Sequence, residues 1–240
     1  MPENQDNEKS IVLLSGGMDS CVCAALAARE GETAAMHISY GQRTEARELR
    51  SFHGICDRLG IEQRLAVRNE LFAKIGGSAL TDQTISVPLV SNNSGKPIGA
   101  HIPVTYVPFR NANLLSAAVS WAETISASRI YIGAVEQDSS GYPDCRPAFY
   151  EAFNQTISAG TKAGSEGGAI TVLTPLIAMK KYEIVTLGMK LRAPFDLTWS
   201  CYSADDIACG VCESCVLRRK AFLAAGSSDP IPYTGEAIQA

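Results

Sequence analysis

Residues 11–20, IVLLSGGMDS, decide the fold because a short apolar run passes directly into a glycine-containing loop. The apolar run at 10–14 has the length of a buried strand, and residues 20–30 after the loop have a helical period. A second apolar run at 33–40 follows that helix. These segments predict one strand–helix–strand unit, in which the two strands are parallel.

Strand-like and helical segments continue to alternate beyond this unit. Further strands are predicted at 63–67, 104–108, 129–134 and 170–173, and helices at 44–59, 112–125, 147–159 and 180–191. This alternation is typical of an α/β fold with a doubly wound, mostly parallel sheet. The periodicity fades near 69–104, where glycine, serine, asparagine and proline accumulate, so we expect a lid or an insertion there.

The composition is that of an ordinary globular protein with an acidic balance. Hydrophobic residues make up 46% of the 240 residues, and 21 Lys and Arg against 25 Asp and Glu give a net charge of -4. An acidic molecule gains nothing from the field of a polyanion, so we expect no nucleic acid as the main substrate. The polar first ten residues and the absence of a long apolar run predict a cytoplasmic protein without a membrane partner.

The glycine-containing loop lies at the carboxyl end of the first strand, where ligands bind in open α/β sheets. Gly16 and Gly17 allow successive amide N–H groups to point at an anion, while Ser15 and Ser20 offer hydroxyl groups. Asp19 would repel a bare phosphate, so we expect it to act through Mg²⁺. The alternative is a tight turn in which Asp19 or Ser20 only caps the helix.

Four of the eight cysteines cluster near the carboxyl terminus. These four are Cys201, Cys209, Cys212 and Cys215, and the gaps between them contain seven, two and two residues. Four thiolates at this spacing are typical of a tetrahedral Zn²⁺ site, and because they leave no open position we expect one structural zinc per chain. An iron–sulfur cluster is the alternative. We place a nucleotide-binding domain at 1–195 and a zinc-binding region at 196–240.

Other charged and reactive side chains have less specific patterns. Arg110, Lys180 and Lys181 lie at a strand end or a helix start and are candidates to neutralise developing phosphate charge; a solvated surface is their alternative. The run Arg218-Arg219-Lys220 is expected to be solvated or to face a subunit. Cys145 has no activating base near it in the sequence, so we expect a neighbour of ligand groups rather than a nucleophile.

The loop at 15–20 resembles the SGGxDS loop of the PP-loop ATP pyrophosphatases, whose fold is that of the adenine nucleotide alpha hydrolases. Five stretches together resemble the family of 7-cyano-7-deazaguanine synthases of queuosine biosynthesis. They are residues 15–20, 40–43, 107–111, 140–146 and 209–218. One departure is Phe109, which stands where members of this family often have glycine.

The resemblance implies an ATP-dependent ligase that converts 7-carboxy-7-deazaguanine and ammonia to the nitrile through adenylation of the substrate. It implies ATP, Mg²⁺ and Zn²⁺ as cofactors, and by analogy a homodimer. We expect nucleotide contacts from Ser15, Gly16, Gly17, Met18, Asp19, Ser20 and Tyr40. We expect catalytic roles for Asp19, Ser20, Arg110 and Lys181.

The implied substrate gives the polar loop at 138–146 a possible role. A guanine-like edge presents two adjacent donors that one carboxylate can accept, so Asp138 or Asp144 is expected to accept them. Arg146 is expected to orient this segment or to meet the substrate carboxylate, and Tyr142 to supply a stacking face. A solvated acidic loop is the alternative.

Two other functions compete with this interpretation. A tRNA-modifying PP-loop enzyme, of the thiolating or lysidine-forming type, would adenylate a base, but it needs an RNA-binding surface that an acidic chain does not favour. A non-enzymatic, zinc-containing nucleotide-binding module is the second. Asp19 argues against it, because holding nucleotide alone does not require a carboxylate that positions a metal.

Overall fold

The computed structural model describes residues 8–88, 102–136 and 142–234. Its five strands form one sheet in the order β3-β2-β1-β4-β5, and every neighbouring pair is parallel. The strands are β1 (Ser10–Leu13), β2 (Thr33–Ser39), β3 (Arg64–Arg68), β4 (Arg129–Ile132) and β5 (Thr171–Leu173). This arrangement confirms the predicted α/β fold with a doubly wound sheet.

Helices connect the strands and cover both faces of the sheet. They are α1 (Met18–Glu30), α2 (Glu45–Leu59), α3 (Leu71–Ile75), α4 (Arg110–Ile125), α5 (Pro147–Gly160), α6 (Lys162–Ser165), α7 (Lys181–Leu191) and α8 (Glu213–Ala224). Short 3-10 helices occur at Pro143–Cys145 and Phe195–Leu197. None of the helices in the described ranges is long and apolar enough to cross a membrane.

Strand β1 lies at the centre of the sheet, and all four of its residues are buried. Val12 belongs to the apolar core beneath α1, α2, α7 and α8, whereas Ile11 and Leu13 belong to the core beneath α4 and α5. Because both faces of the strand are covered, its sequence is a continuous apolar run rather than an alternating one.

The strand order reverses at β1, which pairs with β2 on one side and with β4 on the other. The connections that leave these strands therefore diverge, and a crevice opens beyond their carboxyl ends. The loops after β1, β2 and β4 meet at this crevice, so the fold itself determines where a ligand can bind.

Two predicted segments differ from the structure. Residues 104–108 form turns rather than a strand, because Pro103 and Pro108 lack the N–H groups that a sheet ladder uses. Within the expected lid or insertion, the structure has the short helix α3, stabilised by burial of Phe72. Residues 89–101 of that segment lie outside the described ranges.

The carboxyl-terminal region packs on the main core instead of extending from it. Ala221 and Phe222 of α8 are buried in the same apolar cluster as Val12 and Ile184. Arg218 is 2% exposed, so the expectation of a solvated charge run was wrong for this residue. Its position on α8 faces the core, and buried hydrogen-bond partners replace water there.

Candidate active site

A cavity of about 320 Å³ opens at the crevice beyond β1, β2 and β4. It is lined by the glycine-containing loop, by residues after β2 and β4, and by the first residues of α4 and α7. Of the predicted site residues, the lining includes Ser15, Gly17, Met18, Asp19, Ser20, Tyr40, Arg110, Tyr142 and Lys181. Residues predicted from separate stretches of sequence therefore share one cavity.

The glycine-containing loop is shaped by its own hydrogen bonds. Gly16 adopts φ +89°, and a Cβ atom added there would lie 2.6 Å from the backbone oxygen of Glu48. The Gly17 N–H donates to Ser15 Oγ at 3.2 Å, and the hydroxyls of Ser15 and Ser20 are 3.0 Å apart. Gly17 occupies the N-cap position of α1 without a side-chain cap, so neither Asp19 nor Ser20 has the capping role considered as the alternative.

Gly133, directly after β4, lets the start of α1 approach the sheet closely. A Cβ atom at this position would lie 2.7 Å from the backbone nitrogen of Ser20 and 2.8 Å from the carbonyl carbon of Asp19. Sequence reasoning missed this residue, although a lone glycine at the end of a predicted strand is a signal of close approach. Its lack of a side chain allows the first turn of α1 to face the cavity.

Asp19 and Lys181 meet at one wall of the cavity. Lys181 Nζ lies 2.5 Å from Asp19 Oδ2, and both side chains are mostly buried. The other carboxylate oxygen, Asp19 Oδ1, is buried and has no hydrogen-bond partner among the described residues. A buried carboxylate oxygen without a donor fits a bound cation, because an unpaired acceptor is otherwise costly.

Arg110 supplies a second cation to the cavity. Its Nη1 donates to the Tyr40 hydroxyl at 3.2 Å, and its guanidinium carbon lies 5.6 Å from the centre of the Tyr40 ring. Burial alone would lower the pKa of Arg110, but Tyr40, Tyr142 and Asp144 more than offset it, so the pKa is raised. The guanidinium is therefore held charged inside the cavity.

The residues of the predicted substrate loop at 138–146 differ in where they lie relative to the cavity. Tyr142 lines the cavity, and its hydroxyl lies 2.9 Å from Thr105 Oγ1. Asp144 is buried, and its Oδ2 accepts from the Asn111 N–H at 3.0 Å in the first turn of α4. Arg146 is exposed and does not line the cavity, and Asp138 lies outside the described ranges.

Cys145 lines the cavity as a buried thiol. Burial raises its pKa to about 11, and Asn111 Nδ2 donates to its sulfur at 3.4 Å. A protonated thiol is a weak nucleophile, so the geometry supports the expectation that Cys145 adjoins the ligand groups without attacking them.

Glu48 of α2 is a second carboxylate on the cavity wall and was not predicted. Its Oε2 accepts from Gln42 Nε2 at 2.9 Å, and its Oε1 accepts from Thr44 Oγ1 at 3.0 Å. Burial raises the pKa of Glu48 to about 7, although the hydrogen bonds from Gln42 and Thr44 act in the opposite direction. Sequence reasoning missed Glu48 because it lies on a helix with many exposed charges.

The four clustered cysteines form a closed arrangement that could hold one metal ion. Their ligand atoms all lie within 4.8 Å of one another, and Cys209 Sγ and Cys215 Sγ are 3.9 Å apart. The edge of a tetrahedron with Zn–S bonds of about 2.3 Å is about 3.8 Å, so the separation fits one zinc ion. A multi-iron cluster would hold its thiolates farther apart, because irons and sulfides stand between them.

The cysteine region contacts the glycine-containing loop directly. Trp199, two residues before Cys201, donates its backbone N–H to the carbonyl oxygen of Gly16 at 2.8 Å. Arg218 holds the same region from the other side through a bidentate ion pair with Asp229, at 2.8 and 2.9 Å. The cysteine cluster is therefore connected to the cavity through Trp199.

Comparisons with known proteins agree with this geometry. A family model described as "Queuosine biosynthesis protein QueC" matches residues 9–226. A Koribacter versatilis (strain Ellin345) protein named 7-cyano-7-deazaguanine synthase is 62% identical over 231 residues, covering 95% of this chain and 94% of that protein. An Acidobacterium capsulatum protein of the same name is 63% identical over 226 residues, covering 94% and 96%.

Solved structures are more distant. The NMN synthetase from Francisella tularensis aligns with 80% of this chain and 64% of its own chain at a TM-score of 0.46 and 16% identity. At that distance it does not inform the site.

Proposed function

The chain belongs to the QueC family of queuosine biosynthesis proteins, and from this premise we infer that it is a 7-cyano-7-deazaguanine synthase. It converts 7-carboxy-7-deazaguanine and ammonia to 7-cyano-7-deazaguanine with ATP. The observation that carries this function is that the proposed phosphate-binding loop shares one cavity with Arg110 and Lys181. A tRNA-modifying enzyme and a non-enzymatic module are not favoured by the relatives.

The reaction requires what this cavity offers. A carboxylate is a poor electrophile, and adenylation replaces its negative charge with a good leaving group that ammonia displaces to give an amide. A second activation, of the amide, gives the nitrile. Phosphate charge develops during each activation, and the cationic side chains of Arg110 and Lys181 stabilise it.

The nucleotide contacts that we propose come mainly from the loop after β1. Backbone N–H groups at the start of α1 and the hydroxyls of Ser15 and Ser20 bind phosphate oxygens, as helix N-termini do. Tyr40 supports the site by holding Arg110. The proposed nucleotide-binding set is Ser15, Gly16, Gly17, Met18, Asp19, Ser20 and Tyr40, and the proposed catalytic set is Asp19, Ser20, Arg110 and Lys181.

We assign the open carboxylate oxygen of Asp19 to Mg²⁺. Its Oδ1 is the buried acceptor without a described partner, while Oδ2 is held by Lys181. When bound there, Mg²⁺ neutralises phosphate charge beside the loop. Lys181 keeps the carboxylate in place and is itself within the cavity.

We assign one zinc ion per chain to Cys201, Cys209, Cys212 and Cys215. Four thiolates leave no position for water or substrate, so the zinc is structural. The cluster has its own apolar surroundings, including Trp199 and Ile231. On this basis we retain a nucleotide-binding domain at 1–195 and a zinc-binding region at 196–240.

The loop at 138–146 is proposed to contact the deazaguanine through Tyr142, whose ring lies beside that of Tyr106 at 5.7 Å. Asp144 supports the site from behind by holding the Asn111 N–H next to Arg110. Direct substrate contacts of Asp138, Asp144 and Arg146 stay predictions.

We propose a homodimer in the cytoplasm, with no nucleic-acid or membrane partner. The edge strand β3 exposes Val67, and Leu71 and Ile75 of α3 are also exposed, which suits a subunit contact. Four clustered thiols bind a metal only when reduced, which favours the cytoplasm. Light scattering tests the dimer.

Incubation of the protein with 7-carboxy-7-deazaguanine, ammonium and ATP tests the function. We expect the nitrile to form, with ATP consumed, as followed by mass spectrometry. Omission of ammonium is the control, because it stops the reaction before the amide. If no ATP-dependent nitrile forms with the zinc-loaded protein, the proposed function is wrong.

A further inference from the structure

Glu48 lies in the cavity and has no role in the activation chemistry described above. Among the described residues that line the cavity, only Asp19 and Glu48 carry carboxylates. Asp19 accepts a hydrogen bond from Lys181 and lies on the proposed phosphate side of the site. Among the described residues, Glu48 is therefore the other carboxylate of the lining that a substrate can meet.

The Glu48 carboxylate is held in one orientation. Gln42 and Thr44 donate to its two oxygens, and Gln42 is itself fixed because its Oε1 accepts from the Tyr40 N–H at 2.7 Å. Each carboxylate oxygen can accept a second hydrogen bond. The result is a pair of adjacent, oriented acceptors, which is the arrangement that complements two adjacent N–H donors.

Glu48 also lies beside the nucleotide loop. Its backbone oxygen is so close to Gly16 that a Cβ atom on that glycine would lie 2.6 Å away. A base bound to Glu48 therefore occupies the same cavity as the nucleotide, as a substrate that is to be adenylated must.

We propose that Glu48 accepts the N1–H and 2-amino hydrogens of the deazaguanine and so selects a guanine-type base. This inference rests on the proposed function and adds a specificity-determining residue to it. A base that lacks the 2-amino group leaves one carboxylate oxygen without its second donor, and such an unpaired polar group is the main basis for rejecting an analogue.

The charge of Glu48 follows from the groups around it. Burial raises its pKa to about 7; Arg110 lowers it, and Glu45 on the same helix raises it. Tyr40 also lies within electrostatic range, and burial raises its own pKa. Glu48 is therefore the group in this cluster that changes charge near neutral pH, and it accepts best when ionised.

The test is calorimetric binding of 7-cyano-7-deazaguanine to the wild-type protein and to Glu48→Gln. The glutamine keeps the bond from Gln42 and can donate to Thr44, but it presents one donor where the base needs an acceptor. We expect affinity for the base to fall at least about tenfold at pH 8, with ATP affinity unchanged. An analogue without the 2-amino group should bind the wild type weakly. Its affinity for Glu48→Gln should be only slightly lower than its affinity for the wild type.

Two further measurements separate recognition from a structural role. Wild-type affinity for the base should rise between about pH 6 and about pH 8, and Glu48→Gln should abolish that rise. Thr44→Val removes one hydrogen-bond donor to Glu48, so the midpoint of the rise in base affinity should move to higher pH. Asp57→Asn is the matched control, since Asp57 is on the same helix, does not line the cavity and pairs with Arg64.

The outcomes are distinguishable. Equal binding of the base by Glu48→Gln, or an equal loss of ATP affinity, would overturn the inference while leaving the proposed function in place. Loss of base binding in Asp144→Asn or Asp138→Asn but not in Glu48→Gln would return recognition to the loop at 138–146. If the zinc-loaded wild type neither binds 7-cyano-7-deazaguanine nor forms it in the ATP-dependent assay, the proposed function itself is wrong.

Discussion

The backbone N–H of Trp199 donates to the carbonyl oxygen of Gly16 across 2.8 Å. This bond joins the segment that leads to Cys201 to the glycine-containing loop at 15–20. Trp199 is held in turn by Arg47, whose guanidinium carbon lies 4.5 Å from the centre of the Trp199 ring. The shape of the glycine-containing loop therefore depends on the carboxyl-terminal region, and we expect a metal held by the four cysteines to support this loop indirectly.

Metal content is the first prediction. We expect about one zinc per chain by elemental analysis, because the sulfur atoms are spaced for a single ion. We expect Cys212→Ser to lose its soluble fold, since Cys212 is fully buried and folding of such a region is coupled to metal binding. Iron with acid-labile sulfide in anaerobically purified protein would contradict the zinc assignment.

The second prediction concerns Asp19. We expect Asp19→Asn to keep the fold but to lose at least about a hundredfold in turnover, or about 2.7 kcal/mol on the barrier, measured by steady-state kinetics. Lys181→Met should also lower turnover, because it removes a cation from the cavity. Lys180→Met is the control, since Lys180 is exposed and does not line the cavity. Near-normal turnover of Asp19→Asn with unchanged Mg²⁺ dependence would make Asp19 a structural residue.

The third prediction concerns the ion pair between Arg218 and Asp229, whose side chains are 2% and 7% exposed. We expect Arg218→Met to lower the free energy of unfolding by about 3 to 5 kcal/mol, because it leaves a buried carboxylate without its charged partner. Denaturant unfolding measures the change. Lys220→Met, on the exposed side of the same helix, should change stability by less than about 0.5 kcal/mol, and an equal effect of both variants would refute this account.

The fourth prediction is a dependence of stability on pH. The pKa of Glu48 rises from 4.5 to about 7 on folding, so the folded protein binds more protons than the unfolded chain between these values. Its contribution to stability is complete below pH 4.5 and is lost as the pH rises through about 7. Glu48→Gln should therefore be more stable than the wild type at pH 8, by on the order of 1 to 3 kcal/mol, and not at pH 4. A constant difference between the two proteins across this range would be evidence against a raised pKa.

The sequence alone was sufficient to predict features whose residues are close together in the chain. The loop at 15–20 and the cysteine spacing lie within short contiguous stretches, so composition and period were enough to locate them. Asp19 and Lys181 were both named, but their contact was not foreseen, because the residues between them span most of the sheet. The turns at 104–108 were mistaken for a strand end because a short run with Val104 and Val107 has strand-like composition.

The missed residues depend on tertiary packing. Gly133 matters only because α1 approaches β4, and Glu48 matters only because α2 places it beside Gly16. Arg218 looked like part of a solvated charge run, since no pattern in the sequence indicates its pairing with Asp229 eleven residues later. The roles of these three residues can be recognised only when the distances between helices and strands are known.

The bond between Trp199 and Gly16 has a consequence for how the protein is made. Chains emerge from the ribosome with the amino terminus first, so the nucleotide loop leaves the ribosome long before Trp199, and Asp229 follows later still. A nascent chain can form the central strands, but it lacks the partner that shapes this loop. We therefore expect competence to bind nucleotide to arise only near the end of synthesis, and prematurely terminated chains to bind ATP poorly.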